Sequence, residues 1–212
     1  AQYYGRHYPQ AIQTLSEALR LSPDDPLIYS EMAHSYAQMH RRNETLQYVQ
    51  AAERAAGDRS TIFLNTGEAL MELGDENGAM QRFARALQAP DADKVAARLL
   101  IARLFVRQGR YDDAREQVGL GFAESRVGEA SPVTADDMIE AANIFLSMSD
   151  FDLAQRYFER AKAAGAADEV VAIGMANSYL AQGNSNAAHT QLASLGSADD
   201  LQQNYDYNLA MG

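Results

Sequence analysis

Apolar residues recur three and four positions apart along most of the chain, and short polar breaks interrupt them. Phe83, Ala86 and Leu87 show this spacing, which is typical of an amphipathic helix and not of a strand. The breaks share a glycine, or a polar substitute for it, followed by a polar residue: Gly74-Asp75, Gly109-Arg110, Gly183-Asn184, Ser149-Asp150 and His40-Arg41. Glycine just past a periodic apolar stretch ends a helix. The pattern therefore predicts helical hairpins.

A small residue marks the period of these hairpins, with spacings of 34, 34, 35, 40 and 34 residues: Ala11, Thr45, Ala79, Ala114, Ala154 and Ala188. A large apolar residue stands nine positions before each of the last five of these residues, and another stands four positions after each of the six. Seven positions after the small residue the chain has alanine or glycine, except for Leu195. Internal repetition of this length predicts a solenoid of stacked units.

The repeat resembles the tetratricopeptide repeat (TPR), a 34-residue helical hairpin with small residues at places 8, 20 and 27 and bulky residues between them. The units that match best are Ser60 to Ala89 and the GRYDDA run from Gly109 to Ala114. Arg98 and Ala172 depart from the bulky residue expected at place 4, and the chain has no tryptophan. The resemblance covers nearly the whole chain and implies an all-α, right-handed superhelical solenoid of stacked antiparallel helix hairpins.

The continuous register predicts a single solenoid over residues 1–212, because hairpins this short must stack on their neighbours to bury their apolar faces. The predicted units are a partial repeat 1–25, complete repeats 26–59, 60–94, 95–134, 135–168 and 169–202, and a partial repeat 203–212. Both ends thus fall inside a repeat, and we expect the chain to belong to a longer array.

The 40-residue step places an insertion of six residues within 123–133. Gly128, Ser131 and Pro132 predict an irregular loop there. Thr134 and Asp137 have the spacing of a capping box, in which two side chains reciprocally cap the amides at a helix start. The insertion is interpreted either as a longer turn or as an extended helix or loop that contacts a partner, and the turn is the simpler interpretation.

The resemblance implies that a partner binds the concave surface lined by the first helix of each hairpin. Reading the family's groove places from this chain gives ten candidate partner-binding residues: Leu64, Asn65, Glu68, Leu99, Arg103, Arg107, Ile139, Asn143, Ile173 and Asn177. This groove is apolar with an acidic character, and it has none of the lysines by which the chaperone-binding members grip a C-terminal carboxylate. The expected ligand is a peptide or helix with apolar anchors and some basic residues, held by Asn143 and Asn177 if it is extended.

Two features of this groove have alternative interpretations. Arg103 and Arg107 bind an acidic group of a partner, or they neutralise glutamates of adjacent helices, which is the favoured interpretation. Three further leucines either line the groove or pack between hairpins: Leu100, Leu146 and Leu180.

Composition narrows the class of partner. The chain has 18 Lys and Arg against 29 Asp and Glu, a net charge of -11, which argues against nucleic acid because phosphate binding needs clustered cations. The most apolar stretch, Val95 to Val106, contains two arginines and is too short to cross a bilayer, so direct membrane insertion is not expected. The absence of cysteine removes disulfides and thiolate chemistry from this segment.

Catalytic, metal and cofactor signals are absent from the sequence pattern, which predicts a protein that is not an enzyme. The four histidines lack metal-ligand spacing: His7, His34, His40 and His189. The paired acids fall at predicted helix starts, where they complement the helix dipole: Asp112-Asp113, Asp136-Asp137 and Asp199-Asp200. Gly119-Leu120-Gly121 lies within a predicted helix and follows no strand, so it is interpreted as helix packing and not as a nucleotide loop.

Three hypotheses for function follow, and a protein-binding scaffold is favoured. The second is a spacer and assembly rod, because the alanine-rich, degenerate repeats also resemble, more weakly, those of bacterial cellulose-type exopolysaccharide exporters. That resemblance favours the periplasm over the cytoplasm, although the sequence itself does not assign a compartment. The third is a recruitment module for a catalytic domain outside this segment. Tyrosines near both ends predict end-to-end self-association: Tyr3, Tyr4, Tyr8, Tyr205 and Tyr207.

Overall fold

The computed structural model describes residues 8–124 and 132–195, and all regular secondary structure in these ranges is helical. Eleven helices are present there: α1 (Tyr8–Leu21), α2 (Pro26–Gln38), α3 (Arg42–Ala56), α4 (Ser60–Glu72), α5 (Glu76–Gln88), α6 (Lys94–Arg107), α7 (Tyr111–Glu124), α8 (Ala135–Ser147), α9 (Phe151–Ala163), α10 (Asp168–Ala181) and α11 (Ser185–Ala193). The predicted all-α class is confirmed.

The helices form five hairpins, α2–α3, α4–α5, α6–α7, α8–α9 and α10–α11, and α1 packs against α2. Each first helix also contacts the first helix of the next hairpin, from α2 through α4, α6 and α8 to α10, whereas successive second helices have few contacts with one another. Closer spacing on one side curves a stack toward that side. The exposed side of α2, α4, α6, α8 and α10 is therefore concave, and we call it the groove face.

The turns within the hairpins share one backbone conformation. In the α4–α5 turn, Gly74 has a φ of 78°, its N–H donates to the Met71 carbonyl at 3.0 Å, and the Asp75 N–H donates to the Leu70 carbonyl at 2.9 Å. This is the Schellman arrangement, which needs a left-handed residue just after the helix. The other four predicted turn residues also have positive φ: His40, Gly109, Ser149 and Gly183. The turn prediction is therefore confirmed at all five turns.

Small residues allow the helices to approach closely. A Cβ atom added to Gly67 of α4 would lie 2.4 Å from the Phe83 ring of α5, and one added to Gly174 of α10 would lie 2.3 Å from the Phe158 ring of α9. Phe83 and Phe158 are both buried. Each ring therefore fills the space that the missing side chain leaves.

The predicted helix restart after the insertion is confirmed. Thr134 caps α8: its Oγ1 accepts the Asp137 N–H at 3.2 Å, and the Asp137 carboxylate accepts the Thr134 N–H at 2.8 Å. Most of the predicted insertion, residues 125–131, lies outside the described residues. Gly121 packs closely on Arg98, where an added Cβ would lie 3.1 Å from the Arg98 Cβ, so this glycine has the packing role predicted for it.

The two ends of the predicted array are described only in part. Tyr8 begins α1 and is half-buried, and the other four tyrosines of the predicted end-to-end contact lie outside the described residues. The self-association, the partial repeats and the repeat boundaries therefore stay predictions.

Candidate partner-binding groove

The ten predicted groove residues fall into three groups: buried, half-buried and exposed. Leu64 and Leu99 are buried, at 9% and 2% exposure, and belong to the hydrophobic core, so they support the groove from beneath and a partner does not reach them. Five others are half-buried: Asn65, Glu68, Arg103, Ile139 and Ile173. Three are exposed: Arg107, Asn143 and Asn177.

The three leucines that were interpreted either as groove residues or as packing between hairpins also differ in exposure. Leu100 is buried in the core, and Leu146 is half-buried and packs against it. Leu180 is 38% exposed. Leu100 therefore packs between hairpins, whereas Leu180 is accessible near the end of α10.

Polar side chains link four consecutive first helices across the groove face. The Asn65 amide on α4 donates to the Ser30 hydroxyl on α2 at 3.2 Å. Arg103 on α6 lies 3.1 Å from a Glu68 oxygen on α4 and 3.3 Å from a Glu140 oxygen on α8. Arg103 thus neutralises neighbouring glutamates, as the favoured interpretation predicted.

Burial raises the pKa of the Glu140 carboxyl above its ordinary value of 4.5, and nearby Glu68 raises it further. The Arg103 guanidinium opposes this shift by stabilising the ionised form. Burial outweighs the stabilisation by Arg103 and leaves Glu140 with a raised pKa.

Arg107, one turn further along α6, differs from Arg103. It is exposed and makes no ion pair or side-chain hydrogen bond with the described residues. Glu72 precedes it by 35 residues, the same separation as in the Glu68–Arg103 pair, yet Glu72 and Arg107 form no ion pair within the described part of the chain. The neutralisation predicted for both arginines therefore holds for Arg103 alone.

A cavity of about 370 Å³ opens beside Arg107, between α4, α6 and α8. Its floor is apolar, with buried Met71 and Ile144 and half-buried Val106. Polar and charged side chains complete its lining: Arg103, Arg107, Glu140, Asn143 and Ser147. An apolar floor with a few convergent polar groups is the usual composition of a ligand site.

Three of the eight lining residues are among the ten candidates: Arg103, Arg107 and Asn143. Three more occupy groove places of the repeat: Met71, Val106 and Glu140. The sequence pattern missed the other two. Ser147 occupies the same place in its repeat as Arg107 does, so the register that found Arg107 could also have found Ser147. Ile144 is buried in the core, and only the three-dimensional arrangement shows that one side of it faces a cavity.

The residues considered for chemistry lie in ordinary helical settings. Asp112-Asp113 and Asp136-Asp137 occupy the first turns of α7 and α8, whereas His7 and Asp199-Asp200 lie outside the described residues. Within residues 8–124 and 132–195, no group of three His, Cys, Asp or Glu is placed to hold a metal ion. None of the described helices is both long and apolar enough to cross a bilayer.

Two family profiles match the sequence. Residues 70–126 match one described as tetratricopeptide repeat, and residues 5–39 match one described as TPR repeat. Tetratricopeptide repeat protein 21A of mouse is 23% identical over 207 residues, which cover 88% of this chain. The chain spans only 16% of the length of that relative.

Solved structures share the fold across nearly the whole chain. PilW, titled a widely conserved type IV pilus biogenesis factor, superposes with a TM-score of 0.65 at 20% identity, covering 99% of this chain and 93% of its own. Yeast Tom70 superposes with a TM-score of 0.67 at 15% identity, covering 94% of this chain and 42% of its own. The sequence matches support the tetratricopeptide repeat family, and the fold of this chain is that of a TPR solenoid.

Proposed function

We propose that this chain is a non-enzymatic scaffold that binds a segment of another protein on its groove face. The observation that carries the proposal is the cavity with an apolar floor between α4, α6 and α8, which the exposed Asn143 amide lines. Tetratricopeptide repeat proteins typically bind other proteins, and the fold by itself names no partner.

Asn143 and Asn177 support an extended segment as the ligand. They lie 34 residues apart at equivalent places of α8 and α10, and both are exposed. An amide side chain offers both a donor and an acceptor, which suits the backbone of an extended peptide. Ile139 and Ile173, half-buried one turn before each asparagine, offer apolar contacts to its side chains.

The charge of the groove face favours basic residues in most of that segment. Glu31 on α2 and Asp136 on α8 are exposed, and the whole chain is acidic. Opposite charge increases the association rate and helps to select the partner. We therefore propose an apolar segment with basic residues toward its ends.

The test compares proteins captured from the native organism by the chain and by two matched variants. The groove variant is Asn143→Arg with Asn177→Arg. The control variant, Gln81→Arg with Asn186→Arg, adds the same charge to exposed positions on the second helices α5 and α11. All four positions are exposed, so each variant should retain the helical circular dichroism of the original chain.

We expect one protein to be captured by the original chain and the control variant but not by the groove variant. Equal capture by all three, or capture lost only in the control, would contradict groove binding. Equal capture would then favour the assembly rod, including its form in an exopolysaccharide export machine in the bacterial periplasm.

A further inference from the structure

We propose that the cavity between α4, α6 and α8 binds an acidic residue of the partner segment, with its carboxylate on Arg107 and an adjacent aliphatic side chain on the cavity floor. This inference rests on the proposed groove function and specifies the chemistry of one position in the bound segment. It adds one acidic residue to a segment that is otherwise apolar and basic.

The charges around the cavity distinguish an anion from a cation. Glu140 lines the cavity and is engaged by Arg103, which also pairs with Glu68 on α4, so a partner's cation would have to compete with an existing ion pair. Arg107 is exposed and has no such partner among the described residues. The charge open to a ligand at this cavity is therefore positive.

The polar groups beside Arg107 suit a carboxylate. A guanidinium donates two parallel hydrogen bonds to a carboxylate, which gives direction as well as strength. Asn143 on α8 lines the same cavity and is exposed, and its amide can donate a further hydrogen bond. The Ser147 hydroxyl, which also lines the cavity, already donates its hydrogen to the Asn143 carbonyl at 2.9 Å. The donors available to a ligand carboxylate are therefore the Arg107 guanidinium and the Asn143 amide.

The apolar floor of the cavity is the reason for proposing an aliphatic side chain next to the acidic residue. Met71 and Ile144 are buried, Val106 is half-buried, and all three line the cavity. A volume of about 370 Å³ accommodates an aliphatic side chain together with the carboxylate group. Covering this floor removes apolar surface from water, which favours binding.

Glu72 offers an internal check on the proposal. It is half-buried on α4 at the place that corresponds to Arg107 on α6. Glu72 does not line the cavity and forms no ion pair with Arg107 within the described residues, but its negative charge on the neighbouring first helix opposes the approach of a ligand carboxylate. Glu72→Gln should therefore strengthen the binding of an acidic peptide.

The experiment selects peptides from a displayed library of random linear peptides on the full chain. Selections are repeated on Arg107→Gln, on Glu72→Gln and on Arg156→Gln, the last of which removes an exposed arginine from the second helix α9. One peptide selected by the original chain is then synthesised with its acidic residue and with the corresponding amide. Both are titrated by fluorescence anisotropy.

We expect the original chain and Arg156→Gln to select an aspartate or glutamate beside an aliphatic residue, and Arg107→Gln to lose that preference. The amide should weaken the affinity of the peptide about tenfold on the original chain, as for a lost charge-assisted hydrogen bond, and should have little effect on Arg107→Gln. Glu72→Gln should bind the acidic peptide more tightly than the original chain does.

Two results would overturn the inference, and they have different consequences for the proposed groove function. If the original chain and Arg107→Gln select the same peptides without an acidic residue, the acidic position is wrong while groove binding stands. If the original chain selects no peptide, the proposed groove function fails along with the inference.

Discussion

Single residues decide how closely these helices approach and how their turns close. Several glycines show this clearly: those of the turns have a positive φ, and Gly67 and Gly174 have an aromatic ring where a side chain would be. Ser149 and His40 adopt the left-handed conformation, with φ of 60° and 56°, that glycine adopts in the other hairpin turns. A residue with a Cβ atom is strained in this conformation.

Ser149→Gly should therefore stabilise the chain by about 1 kcal/mol, because glycine adopts positive φ without the steric cost. The reverse change, Gly109→Ser in the α6–α7 turn, should destabilise it by a similar amount. Urea denaturation of both variants measures the free energy of unfolding. A loss of stability in Ser149→Gly would show that its turn is not under this strain.

Gly67→Ala should destabilise the chain by about 1–3 kcal/mol, as expected for overpacking a filled core, because the new methyl group would lie 2.4 Å from the Phe83 ring. Gly119→Ala is the matched control within helix α7. A Cβ atom there meets nothing within 4 Å among the described residues, so the alanine should stabilise the helix by up to about 1 kcal/mol. Equal effects in thermal denaturation would contradict this packing.

At the scale of the helices, the register of the repeat predicts the hairpins, all five turns and the cap of α8. These features depend on local patterns: apolar periodicity, a left-handed residue after each first helix, and the Thr134–Asp137 spacing. The groove was predictable only in part. Leu64 and Leu99 occupy groove places in sequence but are buried, because exposure there depends on how closely the neighbouring first helices pack, which no local pattern encodes.

The cluster of Arg103, Glu68 and Glu140 joins three helices and makes stability depend on pH. Since the pKa of Glu140 is raised in the folded chain, the folded state binds more protons than the unfolded state between the ordinary and the raised value. The free energy of unfolding should therefore fall as pH rises through that window.

Glu140→Gln should remove this contribution. Relative to the original chain, the variant should become more stable as the pH is raised from below the ordinary carboxyl pKa to neutrality, as measured by urea denaturation at several pH values. Parallel stability curves for the two proteins would show that Glu140 does not titrate with a raised pKa.

At the scale of the whole molecule, stability is distributed along a stack in which each hairpin contacts chiefly its neighbours. Such solenoids behave as a row of units coupled to their nearest neighbours. Helix α1 has no fully buried residue and α11 has two, whereas α4 and α6 have many. The central hairpins should therefore be the most stable part of the described chain.

Phe83→Ala should destabilise the chain by about 3–5 kcal/mol, as expected for removing a buried phenylalanine. Because Phe83 lies in the second hairpin, hydrogen exchange should accelerate most in that hairpin and its two neighbours, α2 to α7, and least in α10 and α11. Uniform acceleration across all hairpins would instead indicate that the whole stack unfolds as one unit.

Hydrogen–deuterium exchange of the chain with and without a captured partner protein tests groove binding most directly. We expect the partner to slow exchange in the first helices α6, α8 and α10 and to leave the second helices α5, α7 and α9 nearly unchanged. Slower exchange confined to the second helices, or to the two ends of the stack, would contradict a scaffold that binds through its groove face.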